Sequence, residues 1–151
     1  MTATELLRRD HAVIDRLIDD VIACSDVRQR PDLLQTLTAE LETHVQIGEE
    51  LFYPTLAGLS GVIPETRREH AQLRTLAASI GRREPAAPDF LLKVGELRDA
   101  VRRHVAEEET AIFPEADRLD GDVLETMGQR LEERKRELMT SATGRVTKRT
   151  A

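Results

Sequence analysis

The chain has 151 residues, 40% hydrophobic, 3% aromatic and 33% charged, which is one domain's worth and enough to bury a shared core without a disulfide or metal holding it together. Its formal charge of −6, with acids and bases interleaved, leaves no basic face to track phosphates or an anionic membrane, so nucleic acid and membrane are excluded as expected partners. A single cysteine, Cys24, excludes an internal disulfide and any thiolate-rich zinc or iron–sulfur site, and is expected to pack as a small hydrophobe.

Residues 1–10 carry Arg8, Arg9 and Asp10 where a signal peptide needs an apolar run, and no stretch approaches the ~20 apolar residues that span a bilayer. The expected location is therefore the cytoplasm. Leu, Ala, Glu and Arg dominate the composition, which favours helices over sheets. Thr4 is the expected cap of a first helix reaching about residue 24, and Pro31 suits the first turn of a second that runs to about residue 54. Gly58, Gly61 and Pro64 mark a loop. A third helix follows over about 65–80, ended by Gly81, Pro85 and Pro88, and a fourth over about 89–114. A charged fifth segment covers about 120–139, and the tail 141–151 has too little apolar content to pack, so it is expected to be flexible outside a 1–140 domain.

Apolar residues recur at steps of three and four: Leu7, Ile14, Ile18 and Val21; Leu34, Leu37, Leu41 and Leu51; Val94, Leu97, Val101 and Ile112; and, more weakly, Leu73, Ala77 and Ile80. Short connections favour antiparallel neighbours. The expected fold is all-α, an antiparallel up-down four-helix bundle with an additional C-terminal helix.

The two halves repeat. His11 to His70 is 59 residues, while His44 to His104 and Pro54 to Pro114 are both 60. Residues 44–54 read HVQIGEELFYP and 104–114 read HVAEEETAIFP, each a histidine ten residues before a proline. Two hairpins related by a rough two-fold axis would bring equivalent positions to opposite sides of one central space, which suits a pair of metals. Pro54 and Pro114 read as terminators or kinks, and Phe52, Tyr53 and Phe113 as core packing.

Extended at helical spacing, the stripes carry His11, His44, His70 and His104 inward. Glu108 lies one turn beyond His104 on the same face. A single inward histidine is ordinarily a core imidazole bonded to a backbone carbonyl. Four together, with a carboxylate whose unpaired burial would cost several kcal/mol, point to a bound cation. Imidazole and carboxylate without thiolate suit iron, manganese or zinc. Glu50 and Glu107 read as solvated, and Glu109 is left open.

These residues resemble the hemerythrin-like, or HHE cation-binding, domain over roughly residues 6–119. The resemblance implies two non-haem iron ions with an oxo or hydroxo bridge, held in a four-helix bundle, with His11, His44, His70, His104 and Glu108 where family ligands sit. The first motif departs from the pattern, because the glutamate four residues after the histidine is Gly48 here. Glu49 is the expected substitute and Tyr53, through its phenolate, a weaker one; otherwise one ion is weakly held. Implied functions are binding or reaction of dioxygen, peroxide or nitric oxide, including catalase-like peroxide decomposition. The alternatives are an iron or redox sensor or iron buffer acting through a partner, with the charged face 132–137 as its surface, and a metal-dependent oxidase of a small organic substrate, for which Gly48 would make room. Either a monomer or a dimer is compatible with the sequence.

Overall fold

The computed structural model describes residues 1–56, 58 and 61–150, and of 142–150 the backbone alone. Helix α1 (Ala3–Ala23) begins with a reciprocal cap: the Thr2 hydroxyl accepts from the Glu5 amide, and the Glu5 carboxylate accepts from the Thr2 amide. The cap is therefore Thr2 rather than Thr4, because only Thr2 has a glutamate three residues on. Thr4 lies inside the helix, buried, and donates its hydroxyl to Asp117 at 2.7 Å. Cys24 ends α1 half-buried and donates its thiol to the Asp26 carbonyl at 3.1 Å, a turn contact in place of the expected core packing.

Helix α2 (Arg30–Ile47) carries Pro31 in its first turn, as α4 (Ile63–Gly81) carries Pro64. The segments expected to run straight into Pro54 and Pro114 each open into a wide π turn first. One, Gly48–Phe52, follows α2; the other, Glu108–Ile112, follows α5 (Phe90–Glu107). The Tyr53 amide donates to the Gly48 carbonyl and the Phe113 amide to the Glu108 carbonyl, five residues back. A proline has no N–H and its ring crowds the carbonyl four residues earlier, here Glu50 and Thr110, so widening the preceding turn relieves both helices. Short helices α3 (Tyr53–Leu56) and α6 (Phe113–Ala116) continue beyond. Helix α7 (Gly121–Thr150) extends past the expected end near residue 139. The expected flexible tail, 141–151, falls on side chains from 142 onward and on Ala151, which lie outside the described residues.

Helices α1, α2, α4 and α5 form the antiparallel bundle: α1 packs on α2 and α5, and α4 on α5 and α2. Helix α7 lies along α1, α2 and the first π turn. It approaches closely through Gly128, where an added Cβ would overlap the Met1 carbonyl oxygen. No strand occurs among the described residues, and no helix among them is long and apolar enough to cross a membrane.

The core falls into two apolar clusters. Leu6, Leu7, Ile47, Phe52, Leu56, Ile112, Phe113 and Leu131 build one end, and Ile14, Ile18, Leu37, Leu41, Leu73, Val94, Leu97 and Val101 the other. Between them, on the same stripes, sits a polar layer of His11, His44, His70, His104 and Glu108, all buried. Each fully buried Leu, Ile or Val contributes about 1.5–3 kcal/mol, so two clusters of this size carry the fold and tolerate a polar layer held for function.

Candidate metal centre

One ligand atom each from His11, His44, His104 and Glu108 lies within 4.8 Å of the others. The imidazoles form two pairs. His11 and His44 have ring centroids 4.8 Å apart, His70 and His104 4.6 Å, whereas His11 and His44 stand 6.2 and 6.4 Å from His104. Glu108 lies between the pairs: Oε1 is 3.4 Å from His11 Nε2, and Oε2 is 2.9 Å from His104 Nε2. The Tyr53 hydroxyl donates to Glu108 Oε2 at 2.6 Å and stands 3.2 Å from His70 Nε2.

Each inward-facing Nε2 is set by what holds the far side of its ring. Nδ1 of His11 meets Glu109 Oε1 at 2.9 Å, Nδ1 of His44 meets Asp10 Oδ2 at 3.4 Å, Nδ1 of His70 meets Glu49 Oε1 at 3.1 Å, and Nδ1 of His104 meets Glu69 Oε2 at 3.3 Å. A carboxylate on Nδ1 fixes the tautomer and ring orientation and makes Nε2 a better donor to a cation. The four carboxylates follow the repeat. Asp10 and Glu69, 59 residues apart, each serve the other helix of their hairpin; Glu49 and Glu109, 60 apart, each cross to the other hairpin. Glu49 thus sits behind His70, outside the central cluster. None of the other three was singled out from the sequence as a partner of a histidine. The signal was present, in acid–histidine pairs at 10–11 and 69–70 and in acids five residues after His44 and His104.

The two-fold symmetry breaks at two linked pairs of positions, 48/108 and 53/113. Phe113 stacks on His11 at 5.6 Å, and its counterpart Tyr53 on His70 at 5.5 Å. Across the same relation Glu108 corresponds to Gly48. A Cβ on Gly48 would meet the Tyr53 ring and hydroxyl at 3.7–3.9 Å, so the phenol occupies the room left by the absent carboxylate. The tyrosine expected to be packing presents its hydroxyl to the polar layer. Of the glutamates expected to be solvated, Glu50 is exposed and pairs with Arg134. Glu107 is half-buried and lies beside Glu69, whose pKa it helps to raise.

The charges are matched by protons. Burial acts to raise the Glu108 pKa, but the hydrogen bond from His104 and the proximity of His11 outweigh it and hold the carboxyl well below the ordinary range. Burial acts to lower His104, but Glu108 and then Glu69 raise it, which favours an imidazolium beside the Glu108 carboxylate. Burial, then the charge on His104, push His70 down to about 3, and burial lowers His44 against the pull of Asp10. Burial and then the Glu108 charge push the Tyr53 phenol far above its usual range. Burial, then Glu107, raise Glu69 to about 7.

His70 and His44, depressed from 6.5, contribute stability that is full above that value and lost as pH falls; Glu108 adds loss of the same sign below 4.5. His104, raised above 6.5, acts oppositely, stabilising below that value and losing the contribution as pH rises through its folded pKa. Glu69, raised from 4.5 to about 7, also acts oppositely over that interval, but the two depressed histidines with the depressed Glu108 and Asp10 outweigh the raised histidine and the raised carboxyl. Thermal melts of chelator-treated protein should show Tm falling steadily from about pH 7 to about pH 4, and a flat or rising profile would contradict this charge arrangement.

The donor set fits a metal. His11 Nε2 is buried and makes no hydrogen bond of good geometry, its nearest acceptor being Glu108 Oε1 at 3.4 Å. His70 Nε2 and His104 Nε2 stand 3.3 Å apart. Two imidazole nitrogens at that spacing could both reach one cation.

A helical bundle with paired imidazoles around an inward carboxylate defines the class of carboxylate–histidine metal proteins. The chain belongs to the hemerythrin HHE cation-binding family: the sequence profile of the Hemerythrin HHE cation binding domain matches residues 2–116. It is a metal-binding, hemerythrin-like protein. Among curated relatives it is 26% identical over 115 residues to a DNA nickase of Nostoc sp., covering 75% of this chain and 33% of that protein. It is 29% identical over 115 residues to an uncharacterized protein of Mycobacterium tuberculosis, covering 76% of this chain and 71% of that one. The chain therefore spans a third of the nickase. The crystal structure of a hemerythrin HHE cation binding domain-containing protein from Mycobacterium kansasii matches with a TM-score of 0.88 at 24% identity, covering 97% of this chain and 93% of that chain, a likeness of fold.

Proposed function

We propose that this protein holds two non-haem iron ions, one on each histidine pair, and that the loaded centre binds or reacts with dioxygen, peroxide or nitric oxide. The observation that carries the reading is the position of Glu108, with one carboxylate oxygen toward His11 and the other toward His104. That arrangement suits a carboxylate shared by two ions. The ligands in this reading are His11 and His44 for one ion, His70 and His104 for the other, Glu108 for both, and the Tyr53 oxygen in place of a carboxylate at Gly48. Glu49 serves as the carboxylate that orients His70.

Bound iron supplies open coordination positions and one-electron redox changes. The chain's own residues do the rest. The outer carboxylates keep each Nε2 aimed at the ions, Phe113 and Tyr53 cap His11 and His70, and the apolar clusters on either side limit water entry. The room that Gly48 was expected to leave for an organic substrate is taken by the Tyr53 ring, which favours a small diatomic or peroxide. Strand nicking, named for the Nostoc relative, is outside this reading, because a net charge of −6 repels a phosphate backbone.

Metal analysis with a visible spectrum tests the proposal. Expected are two irons per chain, charge-transfer absorption from coupled ferric ions, and rapid oxygen release on adding peroxide that is lost in His104→Ala. One zinc, or no metal, overturns the reading.

A further inference from the structure

Three of the four carboxylates that orient the histidines reach solvent: the side chains of Glu69, Glu49 and Glu109 are 23%, 28% and 37% exposed. Water reaches all three, and Arg74 Nη1 also stands 3.6 Å from Glu49 Oε2. Asp10 differs, with its side chain 1% exposed. Its charge is met by Lys135 of α7, whose ammonium donates to Asp10 Oδ1 at 2.5 Å and to Glu40 Oε1 at 2.8 Å. Lys135 is itself 18% exposed, held between α1 and α2. A chain of contacts thus runs from α7 through Asp10 to His44, whereas Glu69, the counterpart of Asp10 in the repeat, lies beside Glu107 on α5, and α7 makes its most extensive contacts with α1 and α2.

We propose that Lys135 is a positioning residue for the metal centre, its ammonium neutralising the buried Asp10 that orients His44, so that seating of α7 and loading of the centre are linked. The proposal rests on the metal-centre reading above. An imidazole that gives its Nε2 lone pair to a cation becomes a stronger Nδ1–H donor, which favours a charged Asp10 and, behind it, a seated Lys135. Without the ammonium, the buried carboxylate has neither solvent nor cation and swings outward to reach water, which releases the His44 ring. Loss of such outer partners ordinarily lowers metal affinity about 10–100-fold. Binding linkage is reciprocal, so loading should suppress opening of α7 by a comparable factor.

The test measures ferrous-ion affinity under anaerobic conditions together with amide hydrogen exchange of residues 131–139, with and without ferrous ion, in the full chain. For Lys135→Met we expect affinity for one of two ions to fall about 10–100-fold, with recovery of most of it in Lys135→Arg. Arg134→Met, which breaks the neighbouring surface pairs with Glu50 and Glu137, should leave affinity unchanged. In the wild type, ferrous ion should slow exchange in α7 by a similar factor, a measurement that holds even if Lys135→Met does not fold. Wild-type protein that takes up no iron overturns the metal-centre reading and this inference together. Normal loading of the wild type, with α7 exchange indifferent to iron or with Arg134→Met as damaging as Lys135→Met, overturns the inference alone.

Discussion

Glu108→Gln is expected to reduce ferrous-ion uptake from two ions to at most one, with affinity lower by more than the roughly 100-fold at the upper end for an outer partner. The side chain keeps its shape, so the loss reports the charge and second donor atom of a group lying between the two histidine pairs. The effect on the metal-free protein should be of a different kind. Breaking a buried ion pair by removing one partner costs about 3–5 kcal/mol when the other charge is stranded. Here the partner is His104, whose raised pKa rests first on Glu108, so an imidazolium there can lose its proton once Glu108 is gone. At about pH 8 the metal-free variant should therefore melt close to wild type, and the penalty should grow as the pH is lowered and His104 is forced to charge. Isothermal titration with ferrous ion and melts at two pH values separate these effects. Undiminished binding of two ions by Glu108→Gln would remove the shared carboxylate from the site.

The inward direction of these groups is legible in the sequence because helical periodicity is a local property: His11 between Leu7 and Ile14, or Glu108 a turn after His104, needs no tertiary knowledge. Thr2 was equally legible, and missed only because Thr4 lies nearer the apolar stripe while the glutamate that completes the cap belongs to Thr2. The π turns are harder. A steady 100° per residue runs through residues 48–52 and 108–112 without remark, and only the repeated prolines hint that the register shifts there. That shift carries Tyr53 beside Glu108. The outer carboxylates and Lys135 were illegible for another reason. An acid or a lysine on a charged helix reads as solvated until the facing helix is known, and Asp10 is buried between His44 of α2 and Lys135 of α7.

Tyr53→Phe should have the second large effect. It removes the 2.6 Å hydrogen bond to Glu108 Oε2, which in the metal-free protein costs about 1.5–3 kcal/mol as a bond to a charged acceptor. In the iron-loaded protein it should abolish phenolate-to-iron charge-transfer absorption and weaken one ion by about 10-fold or more. The repeat then suggests its own repair. In the second half a glutamate at 108 accompanies a phenylalanine at 113; in the first half a glycine at 48 accompanies a tyrosine at 53. Gly48→Glu alone should fail to restore anything, since its Cβ fits at 3.7 Å from the Tyr53 ring while the longer carboxylate arm needs the volume the phenol fills. The double variant Gly48→Glu/Tyr53→Phe should recover two-ion stoichiometry without the phenolate band, because it gives both halves the same carboxylate and the same aromatic cap. If Tyr53→Phe alone binds two ions as tightly as wild type and shows an unchanged spectrum, the tyrosine is packing and the first ion is held by histidines and Glu108 only. If the double variant stays deficient, the hydroxyl contributes something a carboxylate at 48 does not supply, and the asymmetry between the halves belongs to the function.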